Sequence, residues 1–324
     1  MPTSFTNGDS AVPLIKQAGI QGKVVPWRDI LHEGPVPAGL SLDELRPVRA
    51  AFLAHPGWNP YDQALMDLAE RDEALARAFD GDEVILWFEH DLYDQLQLLQ
   101  ILDWSATHVR GAHNFHLICN TEYIGLSTPQ RLAERYLEKA PITTAHIDLA
   151  VAAWAAFRSP DPVDITRFLM RSSMVLPWVA PAFRRHLQQF PAVMNGLSRS
   201  QRQALEAIAG GTTILRQVYP AAHHQREEVI WLGDSTFAMH LEEMVACPVP
   251  LLQRADGAPL HSVTVDGHAF WLQQVRLTDA GQAVLRGEAD HLDLNGIDKW
   301  LGGAQLTSDR HWRWDDEAER LILT

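Results

Sequence analysis

The chain has 324 residues, enough for two or three domains, and its 46% hydrophobic and 21% charged content is ordinary for a globular protein. Its formal net charge of -14 argues against nucleic-acid binding, which depends on Lys and Arg to neutralise phosphates. It has no apolar run long enough to cross a bilayer, no signal-peptide pattern at its N-terminus and no metal or redox spacing between its two cysteines, so a cytoplasmic protein without membrane contact is expected.

Short apolar runs alternate with helical patterns over the first 125 residues. The four runs cover residues 3–6, 23–26, 82–88 and 115–120, and the helical patterns cover 11–18, 41–55, 61–79 and a stretch beginning near Asp91. The last three runs are almost continuously apolar, as expected for strands of a parallel sheet that is covered on both faces. The fold class is therefore predicted to be α/β, with an open, mostly parallel sheet and flanking helices.

Polar residues follow each of the first three predicted strands. Ligands of open α/β sheets bind outside the carboxyl ends of the strands, so these loops are expected to converge on one crevice. The loops carry Asn7, Gly8, Asp9 and Ser10; then Arg28, Asp29, His32 and Glu33; then Glu89, His90, Asp91, Asp94 and Gln95.

The first loop offers a Gly-containing turn between a strand and a helix, whose N–H groups can bind an anion. Asn7, Gly8 and Ser10, together with Gln95, are therefore candidate cofactor-binding or ligand-binding residues. Gly-Asp-Ser also surrounds the nucleophile of some serine esterases, which makes Ser10 an alternative catalytic residue. The same tripeptide recurs at residues 233–235 before another helical pattern, so helix capping is the favoured interpretation of Ser10.

Carboxylates outnumber cations in the predicted crevice, where only Arg28, His32 and His90 carry or can carry positive charge. Clustered carboxylates are stable when they are protonated, ion-paired or bound to a metal. Oxygen ligands favour Mg²⁺ or Mn²⁺, and a histidine can act as general acid or base. Helix capping by Asp91 and a solvated charge at Asp29 are the structural alternatives. The candidate metal ligands are Asp9, Glu33, Glu89, Asp91 and Asp94, and the candidate catalytic residues are His90, His32 and Arg28.

The blocks TNGDSA, PWRDILHEGPVP and LWFEHDLYDQLQLLQIL resemble blocks of an uncharacterised bacterial family, catalogued as the domain of unknown function 1835. The blocks VAAWAAFRSPDP, NGLSRSQRQALEAI and LNGIDKWLGG resemble the C-terminal part of its longer members. The resemblance implies membership of that family and assigns no activity.

The rest of the chain is mostly helical in pattern. Residues 1–140 are predicted to form the α/β domain that carries the site, and 141–194 a helical connector. Residues 195–290 show three helical patterns, a predicted hairpin with Asp266-Gly267 at its turn and a last short helix, which suggests a winged-helix-like module. Its third helix, 235–246, has no Lys or Arg, which favours protein contact over DNA binding. Residues 291–324 form a tail with short strands.

The leading functional hypothesis is a metal-assisted hydrolase, with phosphoesters as one candidate class, that acts on a small polar substrate in this acidic crevice. The first alternative is a non-catalytic regulator that holds a small polar ligand and contacts a protein partner through the C-terminal module. The second alternative is a serine esterase that uses Ser10.

Overall fold

The computed structural model describes residues 1–55, 57–81, 83–109, 114–171 and 174–324. The chain forms two compact units. Unit 1 comprises Met1–His55, Asn59–Phe183 and Gly302–Ala304, and unit 2 comprises Pro56–Trp58, Arg184–Leu301 and Gln305–Thr324. The helices predicted as a separate connector thus belong to unit 1 as far as Phe183. Within the described ranges no helix is both long and apolar enough to cross a membrane.

Unit 1 contains a five-stranded sheet. The strands up to residue 141 are β1 (Thr3–Thr6), β2 (Lys23–Pro26), the short β3 (Gly34–Pro35), β4 (Val84–Glu89), β5 (Phe115–Asn120) and β6 (Ala140–Pro141). The order in the sheet is β2-β1-β4-β5-β6. The first four are parallel and β6 is antiparallel at the edge, which confirms the predicted mostly parallel sheet. Asp82, which the sequence placed in the third strand, lies outside the described residues.

Helices follow the strands as the sequence pattern predicts. They are α1 (Ala11–Gln17), α2 (Leu42–Ala54), α3 (Tyr61–Ala78), α4 (Leu92–His108), α5 (Pro129–Leu137), α6 (Thr144–Phe157), α7 (Val163–Leu169) and α8 (Val179–Leu187). Side chains cap the N-termini of several of these helices. Ser41 and Glu44 form a capping box at α2, and Asp91 accepts a hydrogen bond from the Asp94 N–H at α4.

The core of unit 1 lies on both faces of the sheet, and β4 is buried at all six positions. Ile85 and Trp87 on one face of β4 pack in a cluster with Ile15 of α1 and Leu132 of α5. Because side chains alternate along a strand, the remaining apolar positions of β4 point to the opposite face. Helix α4 packs against β4 and also against α6. Burial on both faces explains why the sequence of β4 is continuously apolar.

Unit 2 is built from short elements. They are α9 (Arg199–Ala209), α10 (Leu215–Tyr219), a π-helical turn (Pro220–His224), α11 (Asp234–Ala246), β7 (Leu252–Arg254), α12 (Gly267–Leu272), β8 (Val275–Leu277), α13 (Asp279–Leu285), α14 (His291–Asn295), β9 (Asp298–Gly302), β10 (Ala304–Thr307), β11 (Trp312–Asp315) and β12 (Arg320–Leu323). The last two strands pair antiparallel, in agreement with the short strands predicted in the tail.

The predicted hairpin around Asp266-Gly267 is wrong. Asp266 caps α12 by accepting a hydrogen bond from the Ala269 N–H, so the residues after it are helical. Strand β8 instead pairs antiparallel with β7, far back in the chain. Aspartate before glycine is typical of a helix N-terminus as well as of a hairpin turn. The choice here depends on the strand that β8 pairs with, which a local sequence pattern does not show. The winged-helix description of unit 2 stays a prediction.

Candidate metal centre

Three carboxylates meet where β4 ends and α4 begins. Glu89 is the last residue of β4, Asp91 is the N-cap of α4, and Asp94 lies in its first turn. One oxygen of each lies within 4.8 Å of the others. All three side chains are buried, with exposed fractions of 4%, 4% and 0%. The change from an extended to a helical backbone folds the chain back on itself, which brings this short stretch of acidic residues to one point.

Neutral donors surround the three carboxylates. The Asn7 amide donates from Nδ2 to Glu89 Oε1 at 3.2 Å and to Asp94 Oδ2 at 2.9 Å. Backbone N–H groups donate as well, from Ile124 to Glu89 Oε1 at 2.7 Å and from Glu89 to Asp94 Oδ1 at 2.7 Å. These donors hold the carboxyl groups in place and contribute no positive charge.

Burial makes three negative charges costly at this point. It raises the pKa of Glu89 to about 7, although hydrogen bonds from the Ile124 N–H and from Asn7 oppose the rise. Burial raises the pKa of Asp91 and that of Asp94 well above their usual range, and the neighbouring carboxylates raise both pKa values further. The cluster therefore retains protons near neutral pH unless a cation replaces them.

His90 is half-buried and lies beside the acidic cluster. Its ring contacts the rings of Tyr123 and Trp178, with centroids 5.8 and 5.4 Å away. Its Nδ1 is buried without a hydrogen-bond partner among the described residues. Burial lowers the pKa of His90 below its ordinary value, so the ring is neutral and able to accept a proton near pH 7.

A cavity of about 200 Å³ lies next to these groups. Gln95, which donates from Nε2 to the Glu89 carbonyl oxygen at 2.7 Å, is part of its wall. Trp178, the neighbour of His90, is another part, and so is Cys119, whose thiol pKa is raised to about 12 by burial. The cavity thus has polar and aromatic walls and shares residues with the surroundings of the carboxylates.

The loops after β1, β2 and β4 converge through Asn7 and His32, which were expected there, and through Tyr93, which was not. Asn7 from the β1 loop contacts the carboxylates, and its carbonyl oxygen accepts a hydrogen bond from Tyr93 Oη at 3.1 Å. The Tyr93 ring in turn meets the ring of His32 from the β2 loop, with centroids 5.8 Å apart. His32 is only 1% exposed. Its ring lies in the core, where it packs against Tyr93 beside the site.

Two candidate metal ligands do not join the cluster. Asp9 is exposed and forms a bidentate ion pair with Arg28, at 2.7 and 2.8 Å. Glu33 is buried in the β2 loop, and the group of potential ligands found in the described chain does not include it. Arg28, a candidate catalytic residue, is therefore the ion-pair partner of Asp9, and the hydrogen bond to Asp9 raises its pKa.

Asp29 is a structural residue and not a solvated charge. It is fully buried, and Arg49 of α2 donates to its carboxylate from Nη2 at 2.8 Å and from Nε at 3.0 Å. Arg49 also donates to the carbonyl oxygens of Glu33 and Ile30, so it fastens the β2 loop to the helix. Arg71 of α3 lies 3.8 Å from Asp29 and stacks over the Trp27 ring.

Arg49 and Arg71 were missed in the sequence because each lies inside an ordinary amphipathic helical pattern. An arginine on such a pattern is usually exposed. The available signal was position, because both arginines belong to helices that lie between β2 and β4 in the chain and so can pack against the loop that follows β2. These two cations lie against the carboxylate of Asp29, whereas no salt bridge within the described residues joins a Lys or Arg to Glu89, Asp91 or Asp94.

Ser10 lacks the surroundings of a nucleophile, and its side chain does not cap α1. It is exposed, it occupies the N-cap position of α1, and its side chain makes no capping hydrogen bond. A serine nucleophile needs a neighbouring histidine that an acidic residue orients. Asp29 and His32 have the Asp-x-x-His spacing, but both are buried in the loop after β2, whereas Ser10 is exposed. A Cβ atom added at Gly8 would have no other atom within 4 Å, so the space beside Gly8 is open. At the second Gly-Asp-Ser, the N-cap residue of α11 is Gly233, so the tripeptide does stand at a helix start there.

Comparisons with known proteins assign no family. No protein-family model matches the chain, and no curated protein sequence matches it. Among solved structures the chain is similar to the Plasmodium falciparum topoisomerase II DNA-binding, cleavage and re-ligation domain, with 10% identity and a TM-score of 0.46. That match covers 100% of this chain and 54% of the topoisomerase chain, so this chain spans about half the length of that protein chain. A similarity of this size carries no argument about function, and the family predicted from the sequence blocks stays a prediction.

Proposed function

We propose that Glu89, Asp91 and Asp94 bind one divalent cation and that the protein is a metal-assisted hydrolase of small polar substrates. The observation that carries the proposal is the placing of three buried carboxylate oxygens within 4.8 Å of one another. Buried charges of one sign are stable only with protons or a counter-charge, and the surrounding donors are neutral.

The ligand chemistry favours Mg²⁺ or Mn²⁺. All three candidate ligands are carboxylate oxygens, which hard cations prefer, and no thiolate or imidazole belongs to the group found among the described residues. A cation held by these carboxylates would supply the chemistry of lowering the pKa of a water molecule, which makes the water a better nucleophile. It would also offset the negative potential that opposes an anionic substrate, which is why phosphoesters are the first substrate class to test.

His90 is the proposed general base. Its ring is neutral near pH 7 and has a free Nδ1, so it can accept a proton from a nucleophilic water. The adjoining cavity, with Gln95 and Trp178 in its wall, is the proposed substrate site. His32 and Arg28, predicted as catalytic from the sequence, have no part in this proposal because one is buried and the other is paired with Asp9.

One observation favours a second function, in which the ion or a small ligand is sensed without turnover. The carboxylates are at most 4% exposed, whereas a catalytic metal must remain open to its substrate. Both functions use the same cation. Hydrolysis requires that a substrate in the cavity reaches this cation, and sensing does not. In this second function the protein would be a regulator that contacts a protein partner through unit 2.

The first experiment measures cation binding. Protein freed of metal with a chelator is titrated with Mn²⁺ while the electron paramagnetic resonance signal of free Mn²⁺ is recorded. We expect one bound ion in the wild type and at least about tenfold weaker binding in Asp91→Asn and Asp94→Asn. Asp91→Asn retains an oxygen that can cap α4, since asparagine caps as well as aspartate. Unchanged affinity in both variants would refute the centre.

Asp9→Asn is the matched control, because Asp9 is a nearby aspartate that lies outside the cluster. Its Mn²⁺ affinity is expected to equal that of the wild type. Hydrolysis of p-nitrophenyl phosphate, bis-p-nitrophenyl phosphate and p-nitrophenyl acetate is then followed with and without Mn²⁺. Turnover that needs Mn²⁺ supports the hydrolase, and one bound ion with no turnover on any ester supports the sensing function.

A further inference from the structure

A second cavity, of about 240 Å³, lies elsewhere in unit 1. It is formed by the last turns of α4, the second half of α6 and the start of α2, and most of its wall is apolar. Trp104 and Trp154 supply aromatic surface, and Leu42, Leu45 and Val151 supply aliphatic surface. Its volume is below the ~300 Å³ at which pockets for drug-sized ligands begin, so it suits a small ligand.

Two opposite charges line this cavity without pairing with each other. The Asp103 carboxylate is half-buried and receives no hydrogen bond from any described residue, and burial raises its pKa. Arg158 donates to the carbonyl oxygens of Pro37 and Leu40, which are neutral groups, so its charge is not neutralised there. The described salt bridges do not join Asp103 to Arg158, although each is within electrostatic range of the other.

Gln100 adds an unused donor to the wall of the cavity. It is 3% exposed, and its Oε1 accepts a hydrogen bond from Trp27 Nε1 at 2.7 Å. Because an indole nitrogen only donates, this bond fixes which end of the amide is oxygen. The Nε2 at the other end is buried and has no partner among the described residues. A buried amide without an acceptor is destabilising, and an acceptor atom on a ligand would remove that cost.

We propose that this cavity binds a small zwitterion with an apolar side chain, of the chemical class of the apolar α-amino acids. The ammonium group pairs with Asp103, the carboxylate pairs with Arg158, and the apolar side chain packs between the two tryptophans. Opposite charges set apart in an apolar cavity discriminate such a molecule from a plain amine, a plain acid or glycine. The site shares no residue with the proposed metal centre and does not depend on it.

The test is isothermal titration of the full chain with L-leucine and L-phenylalanine. Because Arg158 also supports the backbone at Pro37 and Leu40, its role is tested by changing the ligand and not the protein. Phenethylamine lacks the carboxylate, N-acetyl-phenylalanine lacks the ammonium, and glycine lacks the side chain. We expect each to bind about 10- to 100-fold more weakly than phenylalanine. Equal affinity for phenethylamine, or no binding of either amino acid at about 1 mM, would overturn the proposal.

Two variants locate the ligand. Asp103→Asn removes the partner of the ammonium group, and Val151→Trp fills the cavity from a position that is already 37% exposed. Both are expected to weaken binding at least about tenfold. Asp148→Asn is the matched control, because Asp148 is an exposed aspartate of α6 outside the cavity. Far-ultraviolet circular dichroism checks that the variants fold. A folded Val151→Trp protein with unchanged affinity would place the ligand elsewhere and overturn the proposal.

Discussion

The protonation of the acidic cluster predicts how the stability of the metal-free protein depends on pH. The pKa of Glu89 is about 7, against 4.5 for an ordinary glutamate. The folded state therefore retains a proton that the unfolded state loses as the pH rises above about 4.5. This contribution to stability is complete below about pH 4.5 and is lost as the pH rises through about 7. At about 1.4 kcal/mol for each pKa unit, Glu89 alone accounts for about 3 kcal/mol.

Glu89→Gln removes the titration of Glu89 and also the repulsion by which Glu89 raises the pKa values of Asp91 and Asp94. Glutamine keeps an oxygen that can accept from the Ile124 N–H and from Asn7, and it cannot lose a proton. The free energy of unfolding is measured by urea denaturation, without metal, at several values between about pH 4.5 and pH 8. As the pH rises through this range, we expect the free energy of unfolding of the variant to increase by about 3 kcal/mol relative to that of the wild type.

Mn²⁺ should reverse the trend in the wild type. A ligand at about 100 times its Kd stabilises the folded state by about 2.7 kcal/mol, and the cation competes with protons for the same oxygens. The stabilisation by Mn²⁺ should therefore be large near pH 8 and small near pH 5. A difference between variant and wild type that stays constant with pH would refute the assignment of shared protons to this cluster.

Three further predictions concern other parts of unit 1. Asp29→Asn should lower the free energy of unfolding by about 3–5 kcal/mol because it leaves a buried arginine unpaired, whereas Asp9→Asn should cost less than about 1 kcal/mol; urea denaturation compares them. Gly34→Ala and Gly39→Ala both place a side chain at positive φ, at a cost of about 1–2 kcal/mol, but only at Gly34 would it meet a phenylalanine ring, 2.3 Å away, so thermal unfolding should show a larger loss there. His90→Gln should reduce Mn²⁺-dependent hydrolysis at least about 100-fold and leave Mn²⁺ affinity unchanged.

Each of these predictions has a contrary outcome. Equal losses for the two aspartate variants would mean that the buried pair contributes no more than the exposed one. Equal losses for the two glycine variants would leave backbone strain as the only effect and remove the role of the phenylalanine contact. Hydrolysis that survives His90→Gln would assign the proton transfer to another group.

The parallel sheet was predictable because its signal is local. Each strand is a short apolar run bounded by turn residues, and β4 is apolar throughout because both of its faces are covered. The acidic cluster was predictable for the same reason, since Glu89, Asp91 and Asp94 lie within six positions and the strand-to-helix junction brings them together. Asn7 joined this cluster as expected of a residue at the end of the neighbouring strand β1.

The errors come from partners that are distant in the chain. Asp29 has the same local pattern whether it is solvated or buried, and only the path of α2 places Arg49 against it. Asp9 lies only two residues after Asn7 in the loop that follows β1, yet it pairs with Arg28 at the surface while Asn7 contacts the cluster. Local patterns locate charged residues along a strand end, and packing decides which of them face inward.

Proton exchange on metal binding distinguishes a cation centre from a carboxyl network that is only structural. If Mn²⁺ displaces protons shared by Glu89, Asp91 and Asp94, binding must release them, and the number released must fall as the pH rises above about 7, where Glu89 is already ionised. Isothermal titration in two buffers with different ionisation enthalpies measures that number at about pH 6 and at about pH 8. Adventitious binding at exposed carboxylates releases no protons at either pH, since those groups are ionised throughout this range. Release at the lower pH that is absent in Asp94→Asn would assign the protons to this cluster, and equal release by that variant would exclude it.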